Sequence, residues 1–278
     1  MTGALAVALL LAAPPPAEVR DLTVTFTDTE GTPVEGLGPE EMVVLENGVA
    51  REVTRAEVDR RPLTLALVLD DSEAVGSAFR LSVVDAVEAF LAGLPDGARV
   101  TIWATGDRAT RVAGPSTDRA EATRSVQRLF PHGANTLLDT LVQACRELEA
   151  PEGQRSAVVA VTGTGPEASF RDRQRALSEA RGCADVFMAV QFGGIEGSFE
   201  DRLRYDYVLE GLTRETGGLY ERPLSSLGLS DQLATVATAL KAPYRVSYAT
   251  LPEIKQRKLE ITVARPGIAA RVWPEKRP

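Results

Sequence analysis

Four oxygen-bearing side chains, Asp70, Asp71, Ser72 and Glu73, follow directly on the apolar run Leu63–Leu69. Oxygens at the end of such a run suit two kinds of chemistry. They can ligate a hard divalent cation such as magnesium, which takes oxygen donors and keeps several waters. They can also satisfy the free backbone N–H groups where a strand turns into a loop. Two further polar segments resemble the first in placement: Gly133-Ala134-Asn135-Thr136, before a helical stretch, and Thr162-Gly163-Thr164-Gly165, after an apolar run. Thr136 with Asp139 three residues on is close to a capping box, which would by itself account for a threonine there.

Catalytic chemistry finds few side chains. His132 is the only histidine, so a Ser-His-Asp or Cys-His arrangement has a single candidate base, and it lies in the loop Pro131-His132-Gly133. The chain has no Gly-x-x-x-x-Gly-Lys, His-Glu-x-x-His or Cys-x-x-Cys segment. Asp70 and Asp71 are sequence neighbours, which diverge at a strand end, so a shared-proton pair is not expected. No catalytic residue is assigned, and the reading is of a protein that is not an enzyme.

The elements that would position these residues fall into three blocks. Leu22, Val24 and Phe26 alternate with threonines, and Asn47-Gly48 marks a tight hairpin between Met42–Glu46 and Ala50–Arg55. From 63 to 242 strands and helices alternate. Strands are predicted at 63–69, 99–105, 157–162, 184–190 and 218–221, and helices near 77–93, 117–129, 137–149, 170–182, 202–215 and 228–241. Runs such as Ala157–Val161 are apolar throughout, as expected of strands covered by helices on both faces. The pattern predicts an α/β domain with a doubly wound, mostly parallel sheet. From Tyr244 onward β alternation returns. The two end blocks are each too small for a core and are expected to combine into one discontinuous β-sandwich. The domain boundaries read as 18–60, 61–242 and 243–278.

In an open α/β sheet ligands bind at the carboxyl ends of the strands, where the three polar segments should meet. There the sequence resembles a von Willebrand factor A domain, whose metal-ion-dependent adhesion site opens with Asp-x-Ser-x-Ser. Its flanks are similar to those of the bacterial VWFA-related family, in the segments VTFTDTEGTPVEGLGPEEMVVLENG, YRVSY and RKLEITVARPGIAARV. The resemblance implies a metal site using Asp70, Ser72 and Thr136. It departs from the pattern twice, with Ala74 in place of the second Ser and Gly163 in place of an Asp. Water can replace a hydroxyl, but a carboxylate is harder to replace. A charge pair 4 Å apart is worth about 4 kcal/mol at an effective dielectric near 20, and about twice that for a dication. The expectation is a degenerate site that binds magnesium, manganese or calcium weakly or not at all.

The resemblance implies a non-catalytic, adhesion-type module that binds another protein, with Asp71, Glu73, His132, Asn135 and Thr164 as candidates on the binding rim. The alternative is a structural component that uses the sandwich for contact and the A domain as scaffold. A net charge of -8 argues against nucleic acid as a partner. Residues 1–17 lack charge and end in Pro14-Pro15-Pro16-Ala17, which fits a secretory signal and a periplasmic or extracellular destination, and the mature chain is not expected to insert in a membrane. The two cysteines, Cys145 and Cys183, are expected toward the same end of the fold, either paired as a disulfide or as two buried thiols.

Overall fold

The computed structural model describes residues 18–193, 197–241, 243–251 and 257–273, so the signal reading of residues 1–17 lies outside the described residues. Its centre is a six-stranded sheet in the order β10-β9-β8-β5-β6-β7. The strands are β5 (Leu63–Leu69), β6 (Arg99–Ala104), β7 (Thr110–Ser116), β8 (Arg155–Thr162), β9 (Val186–Gln191) and β10 (Tyr220–Glu221). All pairings are parallel except β6 with β7.

Every residue of β5 and of β8 is buried, because both faces carry helices. Leu63, Leu65, Leu67 and Leu69 face a core built with α1 (Val84–Gly93), α2 (Arg119–Arg128) and α7 (Leu229–Lys241). Ala66 and Val68 face the opposite layer of α3 (Leu137–Glu147), α4 (Arg173–Ala180), α5 (Phe199–Tyr205) and α6 (Gly211–Thr216). A π-helical turn at Phe79–Val83 leads into α1, and another at Asp206–Glu210 joins α5 to α6.

The chain ends form two antiparallel sheets. One has the order β13-β1-β11-β4, from Ala269–Trp273, Glu18–Thr27, Tyr244–Thr250 and Val53–Val58. The other, β12-β2-β3, is built from Leu259–Val263, Met42–Glu46 and Val49–Arg51. They share a core that includes Val24, Phe26, Val44, Tyr244, Val246 and Ile261. Asn47 and Gly48 both have positive φ, as a tight hairpin between β2 and β3 requires. The predicted second arm, Ala50–Arg55, is in fact divided, since β3 ends at Arg51 and β4 pairs with β11 in the other sheet. β7 was not predicted, because its Gly114-Pro115 and half-exposed residues lack a strand's alternation.

Three junctions place the sandwich at the amino ends of the parallel strands: residues 59–62 before β5, the end of α7 before Tyr244, and Trp273. The Trp273 side chain packs into the α/β core and donates from Nε1 to Thr25 Oγ1 at 3.1 Å. Cys145 of α3 and Cys183 before β9 are joined as a disulfide, with Cα atoms 5.4 Å apart. Glu46 is fully buried and ties the two sandwich sheets together. It accepts from Thr250 Oγ1 at 2.7 Å, from Arg51 Nε at 2.8 Å and from Arg257 Nε at 2.8 Å. Burial pushes its carboxyl up, but the bonds from Thr250, Arg51 and Arg257 outweigh this and hold it below the ordinary value.

Two outcomes follow for stability. Replacing both cysteines by alanine should lower unfolding free energy by about 2–4 kcal/mol, read from denaturant midpoints. Glu46→Gln should cost about 3 kcal/mol at pH 7, because two arginines lose their buried counter-charge. A lowered folded pKa stabilises above the ordinary carboxylate range and ceases to do so as pH falls through the folded value. The gap between Glu46→Gln and the native chain should therefore close on acidification, a trend that thermal unfolding at stepped pH would reveal.

Candidate functional site

At the carboxyl ends of the strands three loops converge on Asp70, which is buried and receives five hydrogen bonds among the described residues. Its Oδ1 accepts from Ser72 N at 3.0 Å and Ser72 Oγ at 2.6 Å. Its Oδ2 accepts from Asn135 Nδ2 at 2.8 Å, Thr162 Oγ1 at 2.9 Å and Gly163 N at 2.9 Å. One residue thus links the loop after β5, the loop before α3 and the loop after β8. The first two loops are stitched further by their backbones, with His132 N to Asp71 O at 2.9 Å and Glu73 N to Gly133 O at 3.0 Å.

The second loop contributes Asn135 to this centre rather than Thr136. The Thr136 hydroxyl is turned away, donating to Thr105 O at 2.6 Å, and makes no cap bond. The capping-box reading is corrected as well. Asp139 accepts from Phe170 N and Arg171, while Glu167 and Ser169 of the third loop accept from the first amides of α3, Leu138 N at 3.4 Å and Asp139 N at 3.0 Å. Sequence spacing could not separate Asn135 from Thr136, since adjacent residues entering a helix point to different sides.

Of the other candidates, Asp71 and Asn135 are buried and cannot form an exposed rim. Glu73 and His132 are exposed, and Thr164 is partly exposed with its hydroxyl oxygen turned inward. Tyr205 was missed. Its hydroxyl accepts from Asn135 Nδ2 at 3.1 Å and donates to Gly165 O at 3.0 Å, and burial pushes the phenol far up. Nothing in the sequence distinguishes it from an ordinary core aromatic of α5. Glu167 is also buried, and desolvation raises its carboxyl despite Arg204 at 3.0 Å.

These residues do not fit a divalent cation. A hard ion needs oxygen lone pairs. Here both oxygens of the single central carboxylate already accept protein donors, Asn135 presents its NH2 group to Asp70, and Gly163 presents an N–H. The reversed amide would set the Asn135 oxygen against Asp70 Oδ2, two acceptors in contact. Among the described residues no group of three or more His, Cys, Asp or Glu side chains is placed to hold a metal.

Large apolar side chains stand around this end of the domain. Phe130 precedes α3, Phe170 lies between β8 and α4, Phe199 opens α5, and Leu224 and Leu227 lie between β10 and α7. Phe170, Leu224 and Leu227 are 98%, 90% and 86% exposed. Contiguous apolar patches of several hundred Å² mark interaction surfaces, whereas singly exposed apolar side chains are ordinary.

Comparison with known proteins agrees with this fold. Residues 65–166 match the von Willebrand factor type A domain family. Over these residues the chain is similar to von Willebrand factor A domains, and its fold is von Willebrand factor A-like. A von Willebrand factor type A structure from Catenulispora acidiphila superposes with a TM-score of 0.57 at 13% identity, covering 94% of this chain and 74% of the other. Proximal thread matrix protein 1 from the mussel byssus, with a zinc-occupied MIDAS motif, superposes with a TM-score of 0.53 at 16% identity, covering 70% of this chain and 48% of the other. At these identities the likeness is one of fold. No curated protein sequence matches the chain.

The glycine in the third loop supplies a direct test. A Cβ at Gly163 would make only ordinary contacts, 3.5 Å from Val75 Cγ2 and 3.6 Å from Asp70 Oδ2. An Ala74→Ser/Gly163→Asp variant should therefore fold, with its new carboxylate beside Asp70. It should melt below the native chain in EDTA and rise by several degrees in millimolar magnesium or manganese. The native chain's melting temperature should be insensitive to either ion.

Proposed function

We propose that this chain is a non-catalytic protein-interaction module that engages its partner through the carboxyl-end face of the A domain, without a divalent ion. The observation that carries this reading is the Asp70 centre, whose carboxylate is saturated by the protein's own donors, beneath loops that expose Phe130, Phe170, Phe199, Leu224 and Leu227. A buried carboxylate so bonded is a rigid tie between loops. It holds the exposed side chains in place without supplying a reacting group. The family's usual recognition, in which the ion takes an acidic residue of the partner, is replaced here by apolar contact.

The rival reading makes the sandwich the contact surface. Val19, Val43 and Val49 are exposed there, and β3 and β4 are open sheet edges. Export to the periplasm or beyond is part of the proposal, supported by the uncharged residues 1–17 and by the Cys145–Cys183 bond. No helix among the described residues is long and apolar enough to cross a membrane.

The two surfaces lie at opposite ends of the α/β domain, so mutation separates them. Crosslinked capture of a partner from the native source should fall at least tenfold in a Phe170→Ser/Leu224→Ser/Leu227→Ser variant and in Glu73→Lys. It should be unchanged by EDTA and by Val49→Glu on the sandwich. Loss in EDTA with recovery in magnesium would sink the metal-free reading. Loss only in Val49→Glu would transfer the function to the sandwich.

A further inference from the structure

Beside the Asp70 centre lies a cleft of ≈ 450 Å³ between the first loop, the β6–β7 hairpin and the loop before α3. Its inner end is Asp71, whose side chain is fully buried. Asp71 Oδ1 accepts from Thr105 N at 3.0 Å and Gly106 N at 2.7 Å, while Oδ2 has no hydrogen-bond donor. The one basic group against Oδ2 is His132, with Nδ1 3.5 Å away. That nitrogen lies closer to Phe130 O, at 3.1 Å, than to Asp71 Oδ2. A buried carboxylate oxygen without a donor is costly and uncommon in folded proteins. Burial accordingly raises the Asp71 carboxyl, against the Gly106 amide and His132.

The rest of the cleft suits one type of occupant. Ala104, Val112 and Leu129 line one wall, an apolar surface for a chain of methylenes. The His132 ring is 47% exposed, leaving it room to swing, and its centroid lies 5.6 Å from that of Phe130, with the two rings tilted by 44°. Asp107 stands on the lip in a left-handed conformation, φ 59°, fixed by Ala134 N to its Oδ1 at 3.0 Å. Gly133 faces that carboxylate, and a Cβ there would overlap it. Arg108, also on the lip, is the opposing charge. Two carboxyl groups, Asp71 and Asp107, face one guanidinium, Arg108, around the cleft.

We infer that this cleft binds a basic side chain of the partner, a lysine or arginine whose head displaces the His132 ring to reach Asp71 Oδ2 and whose stem lies along Val112 and Leu129. The inference rests on the carboxyl-end face being the binding face and names the chemistry of its partner. It inverts the polarity of a metal-bearing site, with buried Asp71 and the lip carboxylate of Asp107 selecting a cation.

Because His132 is the only histidine, its Cε1–H resonance in the labelled full chain is a unique reporter of the cleft. The probes are Nα-acetyl-lysine amide and Nα-acetyl-arginine amide, with Nα-acetyl-glutamate amide and Nα-acetyl-leucine amide as controls at matched ionic strength. The basic compounds should shift the His132 signal saturably at millimolar concentration, and the controls should not. Asp71→Asn keeps an acceptor for Thr105 and Gly106 and should weaken binding tenfold or more. Asp107→Asn, on the exposed lip, should weaken it severalfold, and Arg108→Ala should tighten it. Non-saturating shifts, equal shifts from the acidic or apolar control, or undiminished binding in Asp71→Asn would overturn the inference. Should Asp71→Asn not fold, the Asp107→Asn and Arg108→Ala responses decide it. A silent His132 alongside partner loss in the Phe170 triple variant removes the cleft alone. A responsive His132 with partner binding unaffected by that variant keeps the cleft and removes the wider face.

Discussion

A single buried carboxylate organises the end of the domain where function is expected. Asp70 sits where β5 ends, too deep for water to solvate it, and an ionised group there must find its donors in the protein. Ser72, Asn135, Thr162 and Gly163 provide them from three loops that are far apart in sequence. The arrangement solves by hydrogen bonds the problem that an ion would otherwise solve by charge. The same donors that satisfy the carboxylate also fill the positions from which a cation would be held, so the two solutions exclude each other.

Around that centre the loops are braced by further buried polar groups. Glu167 ties the third loop to the start of α3 and to Arg204, and the Tyr205 hydroxyl spans Asn135 and Gly165. Such networks are stiff when satisfied, because losing one partner leaves another group desolvated and unpaired. Asp71, like Asn135 with its Oδ1, is only partly satisfied among the described residues. Half of the Asp71 carboxylate is well bonded and the other half faces only a histidine, which is the ground on which a ligand is inferred for the cleft beside it. Stiff loops carrying exposed Phe170, Leu224 and Leu227 suit recognition, since a preformed surface loses little entropy on binding.

The sandwich meets a different constraint. Neither end of the chain can close a core alone, and β1 is completed by β11 on one side and β13 on the other, more than 200 residues away in sequence. Glu46 joins the two sheets through Thr250, Arg51 and Arg257. Since residues 59–62 and Trp273 fasten this unit at the amino ends of the parallel strands, the sandwich and the Asp70 face point in opposite directions. That separation allows one chain to present two independent surfaces.

The sequence by itself determined the layers. Unbroken apolar runs at Leu63–Leu69 and Ala157–Val161 require cover on both faces, and β alternation at Leu22–Phe26 and Tyr244–Tyr248 requires a partner sheet, because periodicity records burial directly. It also placed Asp70 and Ser72, which lie at a strand end that the apolar run locates to the residue. It did not resolve Asn135 from Thr136, nor mark Tyr205 or the half-bonded state of Asp71, and it named Thr162 only as the start of the third polar segment. Those depend on where a side chain points after three loops have packed together, and a hydrogen bond between Asp70 and Asn135, 65 residues apart, leaves no periodic trace in either segment. Only the tertiary structure decided that the carboxylate is filled from within, because saturation is a property of donors meeting in space, and the chain records their identities without recording that they meet.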